Sequence, residues 1–153
     1  MKAAVVTVSD RSAAGIRPDG SGPLAAELLS ALGFDTTVAV VPDDAPSIMT
    51  ALRSALSEHV DLLITTGGSG LGPRDVTPEA TTAVIDRPAP GLADLVRRAG
   101  DVPTAALSRG VAGVAGTTLV VNLAGSLGAV RDGIGALAPL LPHVVSQLHG
   151  GDH

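Results

Sequence analysis

The stretch TTGGSGLGPRDVTPEAT, residues 65–81, places Gly67, Gly68, Gly70 and Gly72 just ahead of Arg74 and Asp75. A glycine-rich turn leading into a helix presents exposed backbone N–H groups and a helix N-terminus, a combination that holds anions. The spacing is not that of a Walker A loop, because no Gly-Lys-Ser/Thr follows. It is not G-x-G-x-x-G either, since Pro73 fills the third glycine position after Gly68 and Gly70. Asp75 is the unexpected member, for a carboxylate among anion-binding donors makes sense when a divalent cation bridges it to a phosphate. Magnesium is commonly held by one or two carboxylates together with substrate phosphate oxygens and water. A second carboxylate is therefore expected at a neighbouring strand end, and VVPDDAP supplies Asp43 and Asp44. Asp44 is expected to cap the helix beginning near Ala45, which leaves Asp43 for the site. Ser9, Asp10 and Arg11 complete a rim of three loops.

These residues need a scaffold that brings distant loops to one edge. AAVVTV (3–8), TTVAVVP (36–42) and DLLITT (61–66) read as strands, separated by helices over 23–33 and 45–59. Leu24, Leu28 and Leu32 fall at i, i+4 and i+8 in the first helix, and Gly33 supplies its stop. The alternation predicts βαβαβ, a mainly parallel sheet with helices on both faces. Thr77 is expected to cap the next helix with Pro78 in its first position, followed by a helix over 90–100 and a strand over 118–125. Helices are expected over 126–137 and after Pro139, while 101–116 is compatible with strand, short helix or loop. Ligands of open parallel sheets lie beyond the carboxyl ends of the strands, where GGSGLGPRD falls.

Composition narrows the functional classes. A chain of 153 residues suits one domain, taken as residues 1–150 with a frayed tail at 151–153. Phe34 is the only aromatic residue, so aliphatic side chains must build the core, as in strands buried on both faces. A formal charge of −5 and the absence of Trp and Tyr argue against a nucleic-acid partner. Without cysteine there are no disulfides, thiolate metal sites or thiol nucleophiles, which fits a cytoplasmic location. The apolar run near the N-terminus is too short for a secretory signal, and no run is long enough to span a membrane. His59, His143, His149 and His153 lack metal-ligand spacing.

The glycine motif closely resembles that of the molybdopterin adenylyltransferase family, the Mog-type proteins of molybdenum-cofactor synthesis. VSDRSAAG, PDGSGP, VPDD, PGL, LSRGVAG and NLAGSLGAV extend the resemblance, in order, over nearly the whole chain. It implies a three-layer α/β domain, commonly a homotrimer or a dimer of trimers, that uses Mg²⁺ and ATP to adenylylate molybdopterin with release of pyrophosphate. A downstream metal-insertion protein then takes the product. The family's two key aspartates fall on Asp43 and Asp75, implied as catalytic residues and Mg²⁺ ligands. The implied substrate-binding set comprises Ser9, Asp10, Gly67, Gly68, Ser69, Gly70, Arg74, Thr77, Ser108, Asn122 and Gly125. Within it, the glycine loop would hold phosphate, while Ser108 and Asn122 would face the pterin. Arg74 is read either as neutralising developing charge or as a solvated arginine beside Asp75.

Two departures stand out. Ala124 and Leu127 occupy positions where the family's N-L-P-G-x-P piece has prolines, which predicts a looser loop. Ser69 replaces a more usual threonine but keeps the hydroxyl. A second reading is a non-catalytic molybdopterin-binding paralogue acting as carrier or scaffold.

Overall fold

The computed structural model describes residues 1–151. The chain runs β1 (Lys2–Val8), α1 (Asp10–Ala13), α2 (Ser21–Ala31), β2 (Asp35–Val41), α3 (Ala45–Ser57), β3 (Leu62–Thr66) and α4 (Thr77–Thr82). It continues through β4 (Arg87–Pro88), α5 (Pro90–Arg97), a 3₁₀ turn (Pro103–Leu107), β5 (Ala112–Ala115), β6 (Thr118–Leu123), α6 (Leu127–Leu137) and α7 (Leu141–Leu148). The six strands form one sheet in the order β2-β1-β3-β6-β5-β4. The first three pairings, β2 to β1, β1 to β3 and β3 to β6, are parallel, and the remaining two are antiparallel.

The expected three-layer α/β architecture is therefore present, with a mixed sheet. β5 lies where the sequence leaves alternatives open, and Gly116, at φ +60°, turns it into β6 and pairs Ala115 with Thr118, while the two-residue β4 at Arg87–Pro88 was not expected. One face of the sheet packs Ala3, Val5, Ile64 and Val121 against α2, α5, α6 and α7 through Leu29, Ala93, Ile134 and Leu141. The other packs Ala4, Val6, Leu63 and Val120 against Ile48, Leu52 and Ala80 of α3 and α4. Alternating residues of β1 thus serve opposite faces, which explains their unbroken apolar run.

The buried stripe of α2 differs from the expected leucine row. Ala25 and Leu29 are the fully buried positions, Leu24 and Leu28 pack beside them, and Leu32 is 37% exposed. Ser21 and Gly22 belong to this helix, so it begins two residues before Pro23. Gly33 does end it, at φ +88°. Among the histidines, His59 takes a left-handed turn and His149 Nε2 lies 2.6 Å from Asp61 Oδ1, tying α7 to the entrance of β3. Gly151 donates its N–H to the Ser146 carbonyl, whereas the rest of the expected tail, including His153, lies outside the described residues. No helix among the described residues is long and apolar enough to cross a membrane.

Leu63 is fully buried between the sheet and α3. Leu63→Ala is expected to lower unfolding free energy by about 2–5 kcal/mol in chemical denaturation. A loss below about 1 kcal/mol would contradict close packing at this layer.

Candidate active site

The strand register sets the site. Val8 pairs with Val41, Thr7 with Thr66, and Thr66 with Leu123, so four parallel strands end nearly level. β1 connects onward to β2 on one side, and the chain then returns to β3 on the other. The loops after β1 and β3 therefore diverge at a topological switch point, the usual ligand crevice of such sheets. Gly67 and Gly68 adopt φ of +91° and +62° there. A Cβ at Gly67 would stand 2.4 Å from the Val8 carbonyl oxygen, and one at Gly68 would stand 2.3 Å from Thr77 Oγ1. Both conformation and space thus demand glycine.

Asp43 is held by a reciprocal pair of bonds across the ends of β1 and β2. Its Oδ2 accepts the Asp10 N–H at 2.8 Å, and its own N–H donates to Asp10 Oδ1 at 3.0 Å. Arg74 reaches over from the glycine loop to Asp10, at 2.8 Å, and to the Asp43 carbonyl. It is an exposed strap between loops, paired with Asp10 and not with Asp75. Asp44 caps α3 as expected, accepting the Ser47 N–H, and this bond followed by the Ser47 hydroxyl holds its carboxyl below the usual range.

Asp75 folds back over its own loop. Its Oδ2 accepts the Gly72 N–H at 2.8 Å, and a Cβ on Gly70 or Gly72 would come within 2.9 or 2.8 Å of that oxygen. These two glycines therefore make room for the carboxylate. Arg109, unnoticed in the sequence reading, braces the same loop from outside. It donates Nε to the Gly70 carbonyl at 2.8 Å, Nη2 to the Asp75 carbonyl at 2.6 Å, and Nη1 to the Glu79 carboxylate. The Glu79 bond keeps the carboxyl below its usual range and pushes the guanidinium further up. The piece LSRGVAG contained Arg109, but nothing in its local spacing reveals contacts with a loop thirty-odd residues away.

Two adjoining cavities flank the glycine turn. One, of about 310 Å³, is mostly apolar: Val96, Val102, Leu107 and Ala129 face Ser69, Gly70, Asp75 and Ser108. The other, of about 570 Å³, is polar and includes Ser9, Ser12, Asp19, Ser21, Asp43 and Gly67. Gly68, Gly125 and Ser126 border both. The geometry thus brings together Ser69, Gly70, Asp75 and Ser108 on one side, Ser9, Asp43 and Gly67 on the other, and Gly68 and Gly125 between them. Ser69 and Ser108 lie 3.4 Å apart through their hydroxyls.

Three expectations need correction. Asn122 is buried and turned into the fold: Nδ2 donates to Thr65 and Thr81, and Oδ1 accepts the Val111 N–H. Both of its N–H donors are spent, and it lines neither cavity, so it does not face a pterin there. Thr77 does not cap α4 but is its first residue, and its hydroxyl donates to the Gly67 carbonyl, bracing the turn from within. Asp10 and Arg74 line neither cavity and act on Asp43 instead.

Among the described residues no cluster of three or more His, Cys, Asp or Glu could hold a metal unaided. Each aspartate nevertheless has Oδ2 bonded to a backbone N–H, while its Oδ1 accepts no hydrogen bond from the described residues. Hard oxygen ligands of this kind, one from each side of Gly68, fit Mg²⁺ provided that substrate phosphates complete its shell.

The chain is thus a three-layer α/β domain with a glycine-lined, carboxylate-bearing crevice at the switch point of its sheet. Residues 4–143 match the family model described as a probable molybdopterin binding domain, and the chain belongs to that family. It is 40% identical to molybdenum cofactor biosynthesis protein B of Staphylococcus carnosus, over 97% of this chain and 91% of that protein. It is 36% identical to molybdopterin adenylyltransferase of Helicobacter pylori, over 95% and 86% respectively. The solved Mog protein of Mycobacterium ulcerans superposes with a TM-score of 0.91 at 49% identity, over 96% of this chain and 98% of that one. Other curated relatives are much longer, and the chain spans 48%, 25% and 22% of three of them.

Asn122→Ala is expected to cost about 1–3 kcal/mol, because the Val111 N–H loses its buried acceptor. Ligand affinity, measured by calorimetry below the unfolding transition, should stay within about threefold of the parent protein. A loss of affinity without a loss of stability would return Asn122 to the site.

Proposed function

We propose that this protein is a molybdopterin adenylyltransferase of molybdenum-cofactor biosynthesis. The observation that carries the reading is the pair of aspartates, Asp43 and Asp75, each with one oxygen left over beside a shared glycine turn and each lining one of two adjoining cavities. Two compartments meeting at one anion-binding turn suit a reaction that joins two phosphate-bearing substrates.

In this reading a terminal phosphate oxygen of molybdopterin attacks the α-phosphorus of ATP. A phosphorus–oxygen bond forms there as the bond from the α-phosphorus to the bridging oxygen breaks, and pyrophosphate leaves with its electron pair. Such a transfer needs positioning and charge neutralisation more than a strong base. Mg²⁺, when bound by Asp43 and Asp75, would supply that neutralisation. The Gly67 N–H is taken by the Leu123 carbonyl, so the backbone N–H groups of Gly68, Ser69 and Gly70, with the Ser69 hydroxyl, orient phosphate, and Ser108 extends the polar edge of the apolar cavity. Asp10 and Arg74 fix the orientation of Asp43. The relative named molybdopterin adenylyltransferase supports the same reaction. Assembly as a homotrimer or dimer of trimers, and transfer of the product to a metal-insertion protein, belong to this reading. The exposed Val38 and Val40 on edge strand β2 are compatible with such burial between subunits.

Incubation with molybdopterin, ATP and Mg²⁺ should yield adenylylated molybdopterin detectable by mass spectrometry. Asp75→Asn and Asp43→Asn should each reduce turnover by about 10³-fold or more, the loss of a principal electrostatic contribution, while far-UV circular dichroism and Tm remain close to the parent values. Turnover by either variant at the parent rate would remove the paired-aspartate assignment. Molybdopterin binding without product in the parent protein would make it a carrier or scaffold instead.

A further inference from the structure

Arg109 lines neither cavity, yet it gathers the outward-facing oxygens of the glycine loop. Its backbone N–H donates to the Ser69 carbonyl at 2.7 Å, while its guanidinium reaches the carbonyls of Gly70 and Asp75 and the carboxylate of Glu79. One residue of a neighbouring loop thus holds both ends of the segment 69–75. The direction of these bonds matters more than their number. A loop carbonyl turned inward would repel an anion, whereas one drawn to Arg109 is kept away from it. No peptide bond among the described residues is cis, so each N–H points opposite to the carbonyl of its own peptide unit. The N–H groups of Gly70 and Leu71, which follow the Ser69 and Gly70 carbonyls, are therefore directed away from Arg109. Ser69, Gly70 and Asp75 border the smaller cavity.

Arg109 is also spent as a charge. Glu79, in the first turn of α4, pairs with it and fixes the plane of the guanidinium. A planar fork with several donors can serve carbonyls lying in different directions, which a lysine ammonium cannot reproduce. We propose that Arg109 is a positioning residue that sets the affinity of the glycine loop for a substrate phosphate, acting through the backbone without touching the substrate. The inference rests on the reading of that loop as a phosphate cradle.

The test compares the full-length protein with Arg109→Lys and Arg109→Ala. Calorimetry measures Kd for Mg-ATP and, in a separate arm, for molybdopterin, so the source of the bound phosphate is identified; steady-state assays give KM and kcat, and circular dichroism gives Tm. Both variants are expected to raise Kd and KM for one of the two ligands about tenfold or more, the equivalent of one well-placed hydrogen bond. Guanidinium chloride at tens of millimolar should recover part of the affinity of Arg109→Ala, while sodium chloride at the same concentration should not. The lysine variant retains a cation and a long stem, so it carries the test if the alanine variant fails to fold. A lowered Tm with unchanged Kd for both ligands would reduce Arg109 to a structural brace and overturn the proposal. Failure of the parent protein to bind either ligand would overturn it as well. Parent protein that binds Mg-ATP or molybdopterin but forms no product would remove the proposed reaction alone, and the binding arm would still decide the role of Arg109.

Discussion

The site depends on one close approach. Gly67 passes so near the end of β1 that a Cβ would stand 2.4 Å from the Val8 carbonyl oxygen, and Gly125 lies against it from the other side, where a Cβ would be 3.2 Å from Gly67 Cα. Three loops, those after β1, β3 and β6, thereby meet at a point where only backbone fits. The Gly67 N–H continues the parallel ladder by donating to the Leu123 carbonyl, and the Ser9 N–H does the same toward Val41. The sheet therefore extends into its own loops before the left-handed glycine pair turns the chain away. Any side chain at Gly67 would wedge the crevice open and separate the cavities that border Gly68.

Around that contact, polar bonds divide into those that shape the loops and those left for a ligand. Asp10, Asp44, Arg74, Thr77 and Arg109 spend their donors and acceptors on loop geometry. A deeper network does the same beneath the polar cavity: Thr7 donates to Asp19, whose carboxylate also accepts the Gly22 N–H, and Ser21 lies 2.8 Å from the Thr66 hydroxyl. Fixed donors and acceptors of this kind reduce reorganisation when charge develops on a substrate. Asp43 and Asp75 differ because each satisfies only half of its carboxylate internally. The carboxylate in the cradle is thus partly a fastening of the loop and partly an unspent ligand.

Much of this was legible in the sequence. Each expected strand and helix begins within two residues of its observed start, because β-branched runs, helix stops and the glycine motif act locally. Pairing Asp43 with Asp75 followed from the rule that parallel strands present their carboxyl ends together. Contacts between distant segments were not legible. Asn122 carries the same amide whether it faces a pterin or three partners within the fold, and only the structure reveals Thr65, Thr81 and Val111 around it. Arg109 was hidden for the same reason, since its acceptors lie in the glycine loop and α4. The antiparallel strands were obscured by brevity: β4 has two residues and β5 four, too few for a periodic pattern. At Gly113 the strand needs a glycine, because a Cβ would meet Ile85 at 2.5 Å, and glycine in a short run reads as a loop.

The NLAGSL segment shows how a missing constraint is replaced. Leu127 occupies the first position of α6, where a proline would preset φ and where the backbone N–H has no intrahelical acceptor in any case. The fastening comes instead from Ser126, extended at φ −77° and ψ 149°, whose hydroxyl accepts the Ala129 N–H at 3.1 Å. Replacing a compatible proline mainly increases the freedom of the unfolded chain, at a cost of about 0.4–1 kcal/mol, and a serine cap contributes a similar amount. The helix start is consequently held by hydrogen bonding where a ring would have held it. Leucine also adds bulk where it borders the polar cavity, and a Cβ on Gly20 would lie 3.5 Å from its Cδ2. The substitution therefore acts on the shape of that cavity more than on the order of its loop, and loop order rests on the contact of Gly125 with Gly67.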